Sequence, residues 1–206
     1  MEITEEKCTA YFATQYRVLN PTGDFSFVAR GDSTFLGDLH RQFNVTSSAF
    51  ITAYNPFGQS TDDEVNRRNQ EQLIAEVSGR WKYLMGLGVD PKRQWPSEPS
   101  ILILGIDLED ALSFGRKYQQ HAIVFATRRG RTNLRACVEE DQALLLHPLE
   151  RMMQRVEAKF RAAGVPYTKI DPSEERKESS MLQVNFVPQL RSPQQRESQR
   201  SAGTHE

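Results

Sequence analysis

Apolar residues recur along this chain at two spacings, about two and about three to four residues, and each change of spacing marks the boundary of an element. Residues 11–18 read as a strand or a helix-to-strand segment, followed by a turn at Asn20-Pro21-Thr22-Gly23. The alternation in Asp24-Phe25-Ser26-Phe27-Val28 predicts a strand paired with the first. Phe35, Leu36, Leu39 and Phe43 share one face of a helix over residues 34–43, and residues 50–54 form the next strand, stopped at Asn55-Pro56. Thr61-Asp62-Asp63-Glu64 has the form of a capping box, and acidic groups there suit the positive helix end. The helix behind it carries Val65, Leu73 and Val77 in one stripe with Asn69, and ends at Ser78-Gly79.

Residues 81–87 read as a strand broken by Gly88-Val89-Asp90-Pro91. The segment Trp95-Pro96-Ser97-Glu98-Pro99 reads as an irregular connector, because two prolines argue against a central strand. Residues 100–106 are the most hydrophobic stretch and predict a strand buried on both faces. Asp107 caps a helix with Leu108, Ala111, Leu112 and Gly115 inward, residues 120–126 are another core strand, and Arg129-Gly130 turns into a strand at 132–138. His147-Pro148 opens an amphipathic helix with Leu149, Met152, Met153, Val156, Phe160 and Ala163 in its apolar stripe and Gly164 at its end. A short strand at 165–170 closes the ordered part.

Several strand pairs are joined too tightly for a crossover helix, while others are separated by one. The expected fold class is therefore α+β: a two-layer sandwich with a mixed β-sheet and three to four helices. Residues 1–170 make one domain. From Asp171 onward Pro, Ser, Gln, Glu and Arg dominate, which predicts a disordered polar tail over 171–206. Within it, residues 181–187 alternate like a strand and suit docking on a sheet edge, in the same domain or in a protein partner.

Bulk composition narrows the classes. Hydrophobic residues make up 38% of the 206 and charged residues 26%, enough for a core. The mean hydropathy of -0.60 reflects the polar tail. A net charge of -1 supplies no field for nucleic acid or an anionic membrane, so neither is expected as a partner. Cys8 and Cys137 lack any second cysteine at metal or redox spacing and read as reduced thiols. The first residues, Met1-Glu2-Ile3-Thr4-Glu5-Glu6-Lys7, do not resemble a secretory signal, and Ile101-Leu102-Ile103-Leu104 is far short of the roughly 18 residues of a membrane span. A cytoplasmic location is expected.

Strong catalytic motifs are missing: no phosphate-binding loop, nucleophile elbow or paired-histidine metal motif occurs. No cofactor and no metal is expected. His121 lies at a strand start and reads as structural rather than as a general base, and His147 with Glu150 lacks a third ligand. Arg128, Arg129 and Arg131 surround the hairpin turn and are candidate phosphate contacts, with a solvated turn as the plainer reading.

The order Phe50-Ile51-Thr52-Ala53-Tyr54-Asn55-Pro56, Asn66 with Leu73, Trp95 to Ser100 around Glu98, then Gly105, Ala111 and Gln120-His121-Ala122-Ile123-Val124 resembles the bacterial domain-of-unknown-function family 3293. Tyr11, Thr14 and Tyr16 are similar to that family's opening segment, so the resemblance covers about residues 11–135. Pro99, between Glu98 and Ser100, departs from the pattern. The resemblance implies a domain, and no activity comes with it.

The polar positions carried by that resemblance are Thr52, Asn55, Asn66, Glu98 and Gln120. Amides and a hydroxyl beside one carboxylate suit hydrogen bonding to a base, a sugar or an amide-bearing ligand. Three functions follow as expectations. The leading one is a binding or regulatory module with a polar pocket formed by these five residues. The second is an enzyme acting on a nucleotide or related polar metabolite, with Glu98 as acid/base if burial raises its pKa. The third is a protein-interaction module using the helix face at 152–160 or the segment 181–187. The same residues also admit a purely structural reading, in which Asn55-Pro56 fixes a turn, Asn66 bonds a loop and Glu98 satisfies buried amides.

Overall fold

The computed structural model describes residues 4–19, 23–137 and 148–164. The expected strand at 165–170, the tail 171–206 and its segment 181–187 lie outside the described residues. Helix α1 (Glu5–Ala13) precedes strands β1 (Gln15–Val18), β2 (Phe25–Phe27) and β3 (Arg30–Asp32). Then come α2 (Thr34–Phe43), β4 (Ser48–Ile51), a 3-10 turn (Pro56–Gly58), α3 (Asp63–Ser78) and β5 (Lys82–Val89). β6 (Glu98–Leu104), α4 (Leu108–Lys117), β7 (Ala122–Thr127), a second 3-10 turn (Arg128–Gly130), β8 (Arg131–Ala136) and α5 (Pro148–Ala162) complete the order.

The fold is α+β. The eight strands form one sheet in the order β2-β1-β5-β6-β4-β7-β8-β3, and every described strand pair is antiparallel. This corrects the expected mixed sheet, and the cause is topological. Helix α4 links β6 to β7, which run parallel to one another, but β4 lies between them and is antiparallel to both. Helix α3 likewise links β4 to β5 across β6. Each crossover is thus a split β-α-β unit whose inserted strand leaves no parallel neighbours.

Helices also pack on both faces, which corrects the two layers and the three to four helices expected. On one face Cys8 and Phe12 of α1, Leu36 and Leu39 of α2 and Met153 and Val156 of α5 cover Val18, Phe50, Leu102, Leu104 and Val124. On the other, Leu73 and Val77 of α3 and Ala111 of α4 cover Ala49, Ile51, Ile101, Ile103 and Ile123. The unbroken apolar run of β6 is what a strand covered twice requires. Each of its four aliphatic side chains is buried, a contribution of about 1.5–3 kcal/mol apiece.

Local corrections have simple causes. Asp62, not Thr61, caps α3, because its carboxylate accepts from the amides of Glu64 and Val65. The inward stripe of α3 is therefore Asn66, Gln70, Leu73 and Val77, rather than the one through Val65 and Asn69. Strand β6 begins at Glu98 and takes in Pro99, which lies opposite Leu87 near the strand's start, a position where a missing N–H is tolerated. The apolar face of α5 is spent on its own core: Met153 and Val156 are buried, with Met152 and Phe160 packed against the same cluster. That face is not free for a protein partner.

Candidate functional site

Antiparallel pairing carries the end of β4 to the beginnings of β6 and β7, so the Thr52-to-Gly58 loop meets Glu98 and the Gln120-His121 pair. All five polar positions singled out in the sequence surround this loop, and most of their hydrogen-bonding capacity is spent in building it. Thr52 Oγ1 donates to the Pro99 carbonyl at 2.7 Å and accepts from the Tyr54 amide at 3.0 Å. The Asn55 amide N–H donates to Asn66 Oδ1 at 2.8 Å, while Asn66 Nδ2 donates to Asn55 Oδ1 at 3.0 Å and to the Thr61 carbonyl at 3.1 Å. Gln120 Nε2 donates to the carbonyls of Tyr54 and Tyr118, each at 3.0 Å. Gln70 adds a bond from the Ala53 amide to its Oε1 at 2.9 Å.

This dense bonding holds an unusual backbone. Asn55 and Phe57 have φ of 49° and 53°, in the left-handed region that a bulky residue such as Phe seldom occupies. Gly58 follows at φ 59°. Its α-carbon lies so close to α1 that an added Cβ would stand 2.9 Å from Lys7 Nζ and 3.2 Å from the Tyr11 hydroxyl. The Phe57 amide donates to the Gln119 carbonyl at 2.6 Å, and Lys7 Nζ donates to the Gly58 carbonyl at 2.9 Å. Strain of this kind persists only where the surroundings over-determine it, and it gathers at functional sites.

Glu98 has hydrogen-bonding capacity to spare. Its Oε1 accepts from Asn55 Nδ2 at 2.6 Å, and no other hydrogen bond reaches its carboxylate among the described residues. Burial raises its pKa above the ordinary carboxylate value, against the opposing pull of the Asn55 bond and the Lys7 charge. Burial, then the Glu98 charge, pushes the Tyr11 hydroxyl up, so it stays protonated. The Tyr11 hydroxyl lies 3.0 Å from His121 Nδ1. Burial and then Lys7 hold His121 below its usual pKa, so the ring is neutral at pH 7. With Tyr11 as donor, the ring proton sits on Nε2, which is buried without a hydrogen-bond partner among the described residues. Phe57 stacks obliquely on the same imidazole, with centroids 5.8 Å apart.

Lys7, Tyr11 and His121 were not among the five. The signal for the first two was present: Thr4 caps α1 by accepting from the Lys7 amide, with Glu5 and Glu6 in the first turn. A helix starting there puts Lys7 and Tyr11, four apart, on one face. His121 was read as structural, and its hydrogen bond to a residue 110 positions away is a tertiary fact that no local pattern contains.

The arginines around the hairpin separate. Arg128 and Arg129 are exposed in the second 3-10 turn. Arg131 instead lines an open cavity of about 300 Å³ with Arg30, Gly31, Asp32, Asn133 and Arg161, none of which belongs to the Glu98 cluster.

Residues 51–123 match a family described as Protein of unknown function (DUF3293), a segment that contains all five polar positions and His121. No curated protein and no solved structure matches the chain. No helix among the described residues is long and apolar enough to cross a membrane.

Proposed function

We propose that the chain is a binding module for a small polar ligand, held at the Glu98 carboxyl beside Lys7 and Tyr11. Thr52, Asn55, Asn66 and Gln120 act as the frame of that site rather than as its contacts, because Thr52 Oγ1, the Asn55 and Asn66 side-chain amides and Gln120 Nε2 are bonded to one another, to Glu98 and to backbone groups. The observation that carries this reading is Glu98: a part-buried carboxyl with one hydrogen bond among the described residues, where two oxygens accept about four. Its unused acceptors suit a ligand's amide, amino or hydroxyl donors. Thermal-shift screening against nucleosides, nucleotides and polar metabolites is the test. A stabilising compound whose effect is lost in Glu98→Ala and weakened in Lys7→Met supports the site. No shift with any compound, or a shift equal in all three proteins, overturns it.

A second reading, an enzyme acting on a nucleotide or related metabolite, draws on the raised Glu98 pKa and on the neutral His121 held by Tyr11. An acid tuned toward neutrality by burial is the form a general acid/base takes. Turnover of a hit compound that follows the ionisation of Glu98 distinguishes catalysis from binding.

A further inference from the structure

A second, independent set of chemically capable side chains lies at the β3 edge of the sheet. β3 is the last strand, and its register sets Arg30 opposite Asn133 and Asp32 opposite Arg131. Helix α5 supplies Phe160, over whose ring the Arg30 guanidinium lies at 4.6 Å, and Arg161, one residue on. Together Arg30, Gly31, Asp32, Arg131, Asn133 and Arg161 line the open cavity of about 300 Å³.

Three guanidinium groups around one cavity are poorly matched by the carboxylates of the described residues. Arg161 pairs with Glu157 at 2.6 Å. Among the described residues no carboxylate comes within ion-pair distance of Arg30 or Arg131, and Arg30 Nε is buried without a hydrogen-bond partner. Among the described residues Asp32 lies on the cavity wall, and Glu157 is paired with Arg161 while its charge also acts on Arg30. Stacking on Phe160 fixes the Arg30 fork, so little further freedom is lost when it grips an anion. Burial weakens Arg30's hold on its proton, with the Glu157 charge opposing and the neighbouring Arg161 charge adding to the effect.

We propose that this cavity binds the phosphoryl group of a small phosphomonoester. A carboxylate offers two oxygens, which one guanidinium fork satisfies; a phosphoryl group offers three, enough for Arg30, Arg131 and Arg161 together. Asn133 adds an amide donor, and Asp32 accepts from a hydroxyl on the esterified part of the ligand. The site shares no residue with the Glu98 cluster, so either assignment can fail without the other.

Isothermal titration of the full chain with glycerol 3-phosphate and with inorganic phosphate, at low and high salt, tests this. Saturable binding of glycerol 3-phosphate, weakened by salt and tighter than that of inorganic phosphate, is expected. Arg131→Gln and Arg161→Gln each weaken it about tenfold, whereas Arg128→Gln, outside the cavity, leaves it unchanged. The proposal is overturned if neither compound binds saturably. It is equally overturned if Arg128→Gln costs as much as Arg131→Gln, or if single-stranded RNA binds more tightly at the same arginines.

Discussion

Asn55 Nδ2 donates a 2.6 Å hydrogen bond to Glu98 Oε1, 43 positions away, while Asn55 Oδ1 accepts from both Asn66 Nδ2 and the Thr61 amide. One side-chain amide thus ties the end of β4 to the start of β6 and to the first turn of α3, from a backbone at φ 49°. Asn55→Ala removes these bonds and puts an alanine in the left-handed region, a loss of about 2–4 kcal/mol. Asn55→Gly loses the same bonds but accepts the backbone freely, so it is more stable than the alanine variant by about 1 kcal/mol. Denaturant midpoints at constant slope measure both. Equal losses in the two variants would mean that the left-handed backbone at residue 55 is not a constraint.

Glu98 gives a pH dependence of defined sign. Its pKa in the folded protein lies above the value of 4.5 for an unperturbed glutamate, so the native state favours the protonated carboxyl. Its contribution to stability is full below that unfolded value and is lost as pH rises through the folded pKa. Glu98→Gln imitates the protonated form and keeps an acceptor for Asn55. The variant is therefore expected to gain stability relative to the native protein at pH 7, with the gain vanishing at pH 4. A difference that does not change with pH, or that grows on acidification, contradicts the assignment.

Much of the sheet and most helices were legible because strand alternation and helical stripes are local. The doubly covered strand at Ile101-Leu102-Ile103-Leu104 announced itself by having no polar face, although the expected two-layer sandwich left one of its faces without helices. The insertion of β4 between β6 and β7 was not legible, since pairing partners far apart leave no periodic trace. The site divides in the same way. Glu98 and Asn55 were visible as residue types at element ends, while the use of Thr52, Asn66 and Gln120 as framing depends on which backbone groups lie opposite them. Arg30 and Arg161, 131 positions apart in the chain, come to one cavity only through the fold.

Gly86 and Gly79 separate close packing from open surface. A Cβ at Gly86 would lie 2.5 Å from the Phe50 ring and 2.7 Å from the Arg17 carbonyl oxygen, and a backbone atom cannot yield as a side chain does. Gly86→Ala costs about 2–3 kcal/mol by overpacking. Gly79 caps α3 at φ -76° with nothing within 4 Å of an added Cβ. Gly79→Ala stabilises by about 0.4–1 kcal/mol, because it restricts the unfolded chain. Melting temperatures moving in opposite directions are the expected result, and a destabilised Gly79→Ala would contradict the open geometry there.

Burial pushes the Cys8 thiol up to about 11 and the Cys137 thiol up to about 12. The attacking species is the thiolate, which both sites therefore suppress at pH 8. A disulfide reagent such as DTNB should modify the native protein at least about 100-fold more slowly than the urea-unfolded chain. Rapid native labelling of either cysteine would place that thiol in a more accessible, polar setting.

The two buried histidines act in the opposite sense to Glu98. His40 bonds through Nε2 to Ser48 Oγ at 2.9 Å, and its Nδ1 is buried without a partner among the described residues. Burial lowers the pKa of both His40 and His121 beneath 6.5, with Lys7 adding to the effect at His121. The native state therefore prefers both rings neutral. Their contribution is present above the unfolded value and is lost as pH falls through the folded pKa values. Stability should decline on acidification from about pH 6.5, where free histidine begins to charge. Replacing both rings, in His40→Gln/His121→Gln, should flatten that decline even if the double variant is less stable throughout. Proton NMR titration of the imidazole resonances reads the same quantity directly: each of the two rings should have its midpoint below 6.5, and a midpoint at or above it would remove that ring from the acid-sensitive set.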